Sequence, residues 1–208
     1  EQAQPVGHSV IEVNSREDLQ AVLNTNAGSG KTLFLRAGEY RLKQSLTIPS
    51  DIHICGEGRS TVLICEPTIR TAAILLGDLD AKNITIENLV VDGSKEHQEA
   101  YDPNSGRFYR TGRYSNALAG ISMRGEAGHA FSNIKLKNLT VINFSRSGVY
   151  ISDAEGIEID HCDFTENGAH VVPGPRLQHN LMIQHSSNIM INNSRFDTSI
   201  RGCGLVLD

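Results

Sequence analysis

The sequence lacks any long apolar run and any excess of positive charge. In a chain of 208 residues, no uninterrupted apolar segment approaches the roughly 20 residues that span a bilayer as a helix. Lysine and arginine number 19 against 24 aspartates and glutamates, which gives a formal net charge of −5 with both signs interspersed. We therefore expect no membrane span and no broad basic surface for nucleic acid or an anionic membrane.

The sequence also lacks the residue spacing of a metal site. Four cysteines are present, namely Cys55, Cys65, Cys162 and Cys203. Their number alone does not separate a disulfide framework from free thiols, but cysteine packs as a small apolar residue, so we expect buried thiols. Asp160 and Asp163 are close in sequence without a recognisable ligand loop around them. No metal ligands or cofactor are predicted, and calcium is kept only as a candidate cation.

A complete phosphate-binding loop is missing as well. Residues 27–32 look like the end of such a loop, but Thr25 stands where its first glycine would be. A phosphate loop opens a helix, whereas residues 32–36 are apolar and β-prone. The segment is predicted to be a glycine-rich turn before a strand, and nucleotide binding is rejected.

What the sequence does contain is repetition. One motif has a small or amide residue, alternating apolar residues, a polar corner and a further apolar residue, and it occurs at 83–91, 133–141, 156–164 and 188–196. A shorter motif, a small residue followed by alternating apolar residues, occurs at 120–123, 148–151, 180–183 and 204–207. Internal repeats of this kind indicate a stacked architecture.

The period of the repeat predicts the fold. Ile134, Ile157 and Ile189 are equivalent, and they follow one another after 23 and 32 residues. That spacing is too long for hairpin partners and too short for a βαβ unit, but it fits one coil of three short strands, each parallel to its equivalent in the next coil. The sequence therefore predicts an all-β chain, folded as a right-handed parallel β-helix of about seven coils.

The chain is expected to form a single β-helix domain over residues 1–208. Residues 1–31 should hold a first strand at 8–13 and a short amphipathic helix at about 16–24, since Ser15 and Asp18 have capping-box spacing. Such a helix would cap the first coil. Coils then occupy residues 32–208, with early strands predicted at 32–36, 40–42, 45–48, 52–54, 61–64 and 72–76.

Asparagine recurs where the predicted strands bend. Asn88, Asn138 and Asn193 occupy equivalent corners, and asparagine tolerates the left-handed backbone conformation and bonds to neighbouring backbone groups. Stacked copies can also bond to one another along the rod. His161 holds the same place in another copy, so it is predicted to be a corner residue rather than a catalytic one.

Taken together, these features resemble the pectate-lyase-like superfamily of right-handed β-helix proteins. The resemblance lies in the helix at 15–20, the strands at 32–42, the turn at 54–58 and the later Asn-Ile-x-Ile-x-Asn coils. It implies a carbohydrate-active protein that is secreted, periplasmic or at the cell surface. Residues 159–162 are similar to a pectate-lyase strand signature, but the chain has no tryptophan. The arginine-proline-arginine pattern of those lyases and the paired aspartates of polygalacturonases are absent, so no specific activity follows.

The shorter motif predicts that its strands form a sheet with one exposed face. Alternation should turn one set of side chains to the core: Ile121, Met123, Val149, Ile151, Leu181, Ile183, Leu205 and Leu207. The neighbouring set should point outward: Ser122, Arg124, Tyr150, Ser152, Met182, Gln184, Val206 and Asp208. Asp153 and His185 follow immediately in the chain. An extended polysaccharide can lie along such a ladder, and we expect it as the binding partner.

Irregular connections add basic residues to this face. The long segment 92–118 contains His97 and Arg110 among several aromatic and basic side chains, and a loop of this length usually has a function. Other connections should bring further histidines and arginines to the same edge: Arg146, His170, Arg176, His179 and Arg201. We therefore expect a groove that is richer in arginine and histidine than the acidic whole.

The favoured activity is β-elimination of a uronate polymer. Arginine can bind the carboxylate bidentately, and the substrate-binding candidates are His97, Arg110, Arg124, Arg146, Arg176, Gln184 and Arg201. Proton transfer would fall to the catalytic candidates Tyr150, His170, His179, His185 and Asp153. Hydrolysis is the first alternative and needs two carboxyl groups, for which Asp153 and Asp208 are candidates with Glu166 and Asp197 nearby. A non-catalytic binding or adhesive rod, similar to a tailspike, is the second.

The sequence allows one prediction for each end of the chain. The chain starts at Glu1 rather than methionine, which indicates a mature or trimmed product. Residues 204–208 read as a fresh strand with no coil after it, and an uncapped end would expose core and open strand edges. We expect either further coils or another subunit to cover the end at Asp208.

Overall fold

The repeated apolar motifs fold as short parallel strands. The structure is a computed structural model, and it describes residues 9–66, 68–94, 99–110, 119–125, 129–170 and 178–208, with only the backbone for Glu99 and Arg110. In chain order the strands are β1 (Val10–Val13), β2 (Thr32–Leu35), β3 (Gly38–Leu42), β4 (Leu46–Ile48), β5 (Ile52–Gly56), β6 (Thr61–Cys65), β7 (Ala72–Leu76), β8 (Lys82–Asp92), β9 (Glu99–Asp102), β10 (Arg107–Arg110), β11 (Ala119–Arg124), β12 (Phe131–Ile142), β13 (Ser147–Ser152), β14 (Ala154–Asp160), β15 (Asp163–Thr165), β16 (Leu181–Gln184), β17 (Ser187–Asn192), β18 (Arg195–Asp197) and β19 (Leu205–Leu207).

Two parallel sheets run along the rod. The eleven-stranded sheet follows the path β1-β2-β5-β8-β12-β14-β17, with β3, β6, β15 and β18 joined beside it. The six-stranded sheet has the order β4-β7-β11-β13-β16-β19, and β9 and β10 form a separate antiparallel hairpin. Seven strands lie along the main path within the described residues, which confirms the predicted all-β, right-handed parallel β-helix.

Strand register follows the sequence repeat. Ile84 pairs with Ile134, Ile134 with Ile157, and Ile157 with Ile189. On the six-stranded sheet, Val149 lies between Ile121 and Leu181. Because a slip of one residue would turn every apolar side chain outward, the alternation itself fixes this register.

The core is a stack of the inward side chains. Ile134, Leu136, Ile159 and Phe164 are fully buried, and burial of each such side chain contributes about 1.5–3 kcal/mol. On the last strand, Leu205 and Leu207 keep the register of the buried Leu181 and Ile183, as predicted, but remain 38% and 55% exposed. The reason is that β19 is the edge strand of its sheet in the described part of the chain.

A helix covers the other end of the six-stranded sheet. Helix α1 spans Leu19–Thr25, and the Asp18 side chain caps it by accepting a hydrogen bond from Ala21 N at 3.1 Å. The predicted start at residue 16 is therefore too early, because Asp18 is extended and ends the preceding loop. Gln20 both donates to Thr47 O and accepts from Thr47 N, at 3.1 and 2.8 Å, and so satisfies backbone groups of the edge strand β4.

The described part of the chain contains no helix that is both long and apolar enough to cross a membrane. Its first strand begins at Val10. The predicted start of that strand at His8 lies outside the described residues.

The coils turn at residues with a left-handed backbone conformation, and these residues lie at the corners that the asparagines predict. Asn88, Asn138, His161 and Asn193 have φ values of 57°, 47°, 53° and 47°. Asn138 Nδ2 donates to Asn88 Oδ1 at 3.1 Å, which is the predicted bond between stacked copies. The corner prediction for His161 is confirmed by its backbone.

The four cysteines are free thiols, but they are not all buried. Cys65 and Cys162 lie in the core, where burial raises the pKa of their thiols to about 12 and about 11. Cys55 is half-buried and Cys203 is exposed. The expectation of buried thiols is wrong for Cys203, which lies in the exposed turn before the edge strand β19.

Candidate functional site

The predicted face lies on the outside of the six-stranded sheet. Register places Tyr150 between Ser122 and Met182, and Ser152 between Arg124 and Gln184. The face is not evenly open, however. Met182 and Ser152 share the register of the outward residues, as predicted, but are only 5% and 6% exposed. Side chains in one column are only about 4.8 Å apart, so the larger neighbours limit the access of solvent to them.

Four side chains of this face form a continuous polar chain, which we define as Arg124, Tyr150, Gln184 and Asp208. The Arg124 guanidinium lies 4.6 Å from the centre of the Tyr150 ring. The Tyr150 hydroxyl donates to Gln184 Oε1 at 3.0 Å, and Gln184 Nε2 donates to Asp208 Oδ2 at 2.9 Å. Sequence predicted each residue to point outward but could not show that they touch.

Asp153 and His185 lie next to the polar chain, just after β13 and β16. Both have left-handed backbones, with φ of 57° and 47°. The backbone N–H of Asp153 donates to Gln184 O at 3.1 Å, which ties this corner to the strand of the polar chain. Asp153 Oδ1 lies 3.9 Å from His185 Nδ1, and both side chains are accessible. The pair therefore places an imidazole and a carboxylate at the rim of the same face.

The long connection supplies a hairpin with exposed aromatic rings. Strands β9 and β10 present Tyr101 and Tyr109, which are 55% and 52% exposed. Phe108 stacks on His170 with ring centres 3.9 Å apart and an interplanar angle of 9°. His170 thus fastens the hairpin to the body of the rod. His97, Arg176 and the side chain of Arg110 lie outside the described residues.

The remaining predicted residues lie on connections into the six-stranded sheet. Arg146 is half-buried just before β13, and Arg201 is exposed in the turn before β19. His179 is buried, and its Nδ1 accepts a hydrogen bond from Cys203 N at 2.9 Å. Burial lowers the pKa of His179, so the ring stays neutral at neutral pH. The structure assigns His179 a place in the packing of a turn, separate from the polar chain.

Sequence reasoning missed a buried amide network behind the face. Asn167 is fully buried; its Nδ2 donates to Asn180 Oδ1 at 2.9 Å and to Val141 O at 3.1 Å. Its Oδ1 accepts from Phe144 N at 3.1 Å. A Cβ on Gly148 would lie 2.6 Å from Asn167 Nδ2, so only glycine fits at that position. The network holds the bends that lead into β13 and β16, and its one signal in the sequence is the amide at the start of a repeat.

The two aspartates considered for calcium are already engaged. Arg195 donates to both carboxylate oxygens of Asp163, at 3.1 and 2.9 Å. Hydrogen bonds from His161 and Asn193 hold the pKa of the Asp160 carboxyl below its ordinary value. Both carboxylates are thus held by side-chain partners.

Three solved structures share this fold. The family 28 exopolygalacturonase of Yersinia enterocolitica has a TM-score of 0.61 and 15% identity, covering 96% of this chain and 48% of that one. ORF18 of Geobacillus virus E2 has a TM-score of 0.60 and 18% identity, covering 86% and 35%. The A-module of the mannuronan C-5 epimerase AlgE4 of Azotobacter vinelandii has a TM-score of 0.51 and 16% identity, covering 85% and 53%. This chain thus spans 35% to 53% of the length of these proteins, and at such identities the similarity shows the fold alone.

The family follows from the sequence match. No curated protein matches the chain. A family model described as a right-handed beta helix region matches residues 72–208, which is more than half of the chain. The predicted superfamily is thereby confirmed without a specific activity, and the chain belongs to the right-handed beta helix family.

Proposed function

We propose that the outer face of the six-stranded sheet binds an anionic polysaccharide and cleaves a uronate polymer by β-elimination. The observation that carries this proposal is the polar chain, which joins a cation, a phenol and an amide on three neighbouring strands to a carboxylate just after the fourth. Two proteins of the same fold, the exopolygalacturonase and the mannuronan C-5 epimerase, are named for polysaccharide substrates. Their names support a polysaccharide as the ligand class.

Arg124 is the group that would engage the uronate carboxylate. Its side chain is exposed on the sheet, and its position over the Tyr150 ring limits the orientations of the guanidinium. A guanidinium binds a carboxylate through two parallel hydrogen bonds. Neutralising that carboxylate makes the neighbouring C5 proton easier to remove, which is the first requirement of β-elimination.

Tyr150 and His185 would move the two protons. One group removes the C5 proton, the electron pair forms the C4–C5 double bond, the C4–oxygen bond breaks, and the other group protonates the leaving oxygen. The Tyr150 hydroxyl is oriented by Gln184, which is in turn held by Asp208. His185 lies beside Asp153, and that carboxylate would stabilise the imidazolium that forms.

The hairpin would extend the binding surface. Tyr101 and Tyr109 are exposed aromatic rings of the hairpin, and such rings can bury apolar area against the apolar faces of sugar units. The stack of Phe108 on His170 keeps the hairpin at the body of the rod. We also propose that the protein acts outside the cytoplasm, where such polymers occur.

Hydrolysis is the second candidate, and it rests on two carboxylates. Asp153 follows β13, and Asp208 follows β19, two strands away. Two strand spacings correspond to about 9.6 Å, just above the roughly 6.5–9.5 Å between carboxyl groups in inverting glycosidases. The arrangement fits elimination better, because Asp208 already accepts a hydrogen bond from Gln184.

The test is to incubate the protein with polygalacturonate, with alginate and with a neutral glucan as control. Elimination predicts ultraviolet absorbance from the unsaturated uronate, with one new reducing end per cleavage, on an acidic polymer only. New reducing ends without absorbance would replace elimination by hydrolysis. Binding without either signal would make the chain a non-catalytic module, and no interaction with any acidic polymer would overturn the proposal.

A further inference from the structure

A second group of reactive side chains lies on the outer face of the eleven-stranded sheet. On β5, His53 and Cys55 are two residues apart and therefore point to the same side. Glu87 on β8 is the register partner of Cys55, and Thr32 on β2 is the register partner of His53. Two neighbouring strands thus bring an imidazole, a thiol and a carboxylate together, although Glu87 lies more than 30 residues after the other two.

The three potential ligand atoms are close enough to share one ion. The ring nitrogens of His53, Cys55 Sγ and the carboxylate of Glu87 offer one atom each, and these atoms lie within 4.8 Å of one another. His53 Nε2 lies 3.0 Å from Glu87 Oε1. Ligand atoms around a tetrahedral zinc ion are about 3.3–3.6 Å apart, so the atoms of this group need to approach one another by at most about 1.5 Å.

The surroundings would hold the ligands in place. His53 Nδ1 lies 3.1 Å from Thr32 Oγ1, and a histidine that binds a metal through one nitrogen commonly donates a hydrogen bond from the other. Asn88 Nδ2 lies 3.5 Å from Cys55 Sγ, where it can donate to a thiolate. All three ligand residues are half-buried, so they are partly shielded but still reached by an ion from solvent.

A neighbouring lysine does not occupy the site. Lys137 is the register partner of Glu87 on the next strand. Its ammonium nitrogen lies 2.7 Å from Glu158 Oε1, on the side away from β8. Glu87 instead faces His53. The Glu87 carboxylate can therefore turn towards an ion without breaking the ion pair between Lys137 and Glu158.

We propose that His53, Cys55 and Glu87 form a binding site for one zinc-class divalent cation, with water at the fourth position. A set of one nitrogen, one sulfur and one oxygen ligand suits zinc or cobalt, whereas calcium and magnesium prefer oxygen ligands only. Binding releases the thiol proton to solvent as the thiolate bonds to the metal. The ion would clamp neighbouring coils, and the site is separate from the face proposed to bind polysaccharide.

The test is a titration of the folded chain with Co²⁺ and then Zn²⁺, under a reductant that does not bind metals. We expect one Co²⁺ per chain with a near-ultraviolet absorption band from thiolate to cobalt, and displacement of that ion by Zn²⁺. Cys55→Ser should abolish the band. His53→Gln and Glu87→Gln should raise the Kd for Zn²⁺ at least about 100-fold, and Thr32→Val should raise it about 10–100-fold through loss of the supporting hydrogen bond.

Two matched controls make the result specific. Cys203→Ser removes another accessible thiol, and His129→Gln removes a histidine that lies 3.0 Å from the carboxylate of Asp80 and is not part of the His53, Cys55 and Glu87 group. Both variants should keep the cobalt band and the Kd. A band that survives in Cys55→Ser, or disappears in Cys203→Ser, would overturn the proposal, as would the lack of saturable binding by the unmodified chain.

Thermal unfolding gives a second readout that does not depend on absorbance. Zn²⁺ should raise the Tm of the unmodified chain and of both controls, because an ion that binds only the folded state stabilises it. It should leave the Tm of Cys55→Ser unchanged. Circular dichroism without metal should show the same β-sheet content in all variants, and an equal Tm shift in Cys55→Ser would contradict the assignment.

Discussion

The outer faces of the two sheets share one strand geometry but differ in how their charged side chains are paired. On the eleven-stranded sheet, charged residues pair across neighbouring strands, as Lys137 does with Glu158 at 2.7 Å and Arg195 with Asp163 at 2.9 Å. On the six-stranded sheet, Arg124 contacts the Tyr150 ring and has no carboxylate partner among the described residues. One face neutralises its own charges, whereas the other leaves a cation available to an anionic ligand.

The largest expected effect compares the same chemical change on the two sheets. Tyr150→Phe removes only the hydroxyl that donates to Gln184, and loss of a proton-transfer group should lower kcat about 10²–10⁴-fold with little change in KM. Steady-state kinetics on the acidic polymer measure this. Unchanged kcat would remove Tyr150 from the catalytic residues.

Tyr40→Phe is the matched control. The Tyr40 hydroxyl donates to Val13 O and Arg36 O, at 2.7 and 2.9 Å. Its removal should lower the free energy of unfolding by about 1 kcal/mol, measured by urea denaturation, and leave kcat unchanged.

The next effect compares one cation from each face. Arg124→Ala should lower kcat/KM for the uronate polymer about 100-fold, as expected for a lost charge-assisted hydrogen bond of about 2.8 kcal/mol. Lys137→Ala removes a paired cation from the eleven-stranded sheet and should leave kcat/KM unchanged. Equal losses in the two variants would show that general electrostatic attraction, not the geometry at Arg124, governs binding.

A third prediction compares amides that hold the bends of the coil. Asn167→Ala leaves Phe144 N without its buried partner and should lower the free energy of unfolding by about 2 kcal/mol. Asn138→Ala, at an exposed corner with φ of 47°, should cost about 1 kcal/mol from the left-handed backbone. Urea denaturation measures both, and a smaller loss for Asn167→Ala would mean that the buried network is not a major source of stability.

The smallest effect concerns pH and the buried histidine behind the six-stranded sheet. Burial lowers the pKa of His179, so the unfolded chain takes up a proton at a higher pH than the folded chain does. The stability due to neutral His179 is therefore fully present above its unfolded pKa of about 6.5 and is lost as the pH falls towards the folded pKa. In His179→Gln, the free energy of unfolding should fall less between pH 7 and pH 5 than in the unmodified chain. Equal slopes in the two chains would contradict this.

Local signals in the sequence predicted most of the strands and the corners. Left-handed asparagines such as Asn88 and Asn138 mark bends through their own backbone preference, and alternating residues such as Ile157 and Ile159 mark the inward side. Tertiary context modifies the local pattern at three places. The helix begins after Asp18 rather than at residue 16, Met182 is covered although it alternates outward, and Leu207 is exposed because β19 is an outer strand.

The candidate site was only half predictable for the same reason. Sequence placed Arg124, Tyr150, Gln184 and Asp208 on one face, because alternation is local. It could not show the hydrogen bonds that join them, nor that His179 is buried, since these depend on how coils stack and on the loops between them.

By itself, then, the sequence determined the architecture of this protein: the period of its apolar residues fixes parallel coils, and its asparagines fix where they turn. The tertiary structure alone decided which distant side chains meet. His53, Cys55 and Glu87 come together on one face, and Arg124 reaches Tyr150 on the other. The physical reason is that contacts across coils depend on register and loop length, which bring residues 20 to 50 positions apart to within one strand spacing.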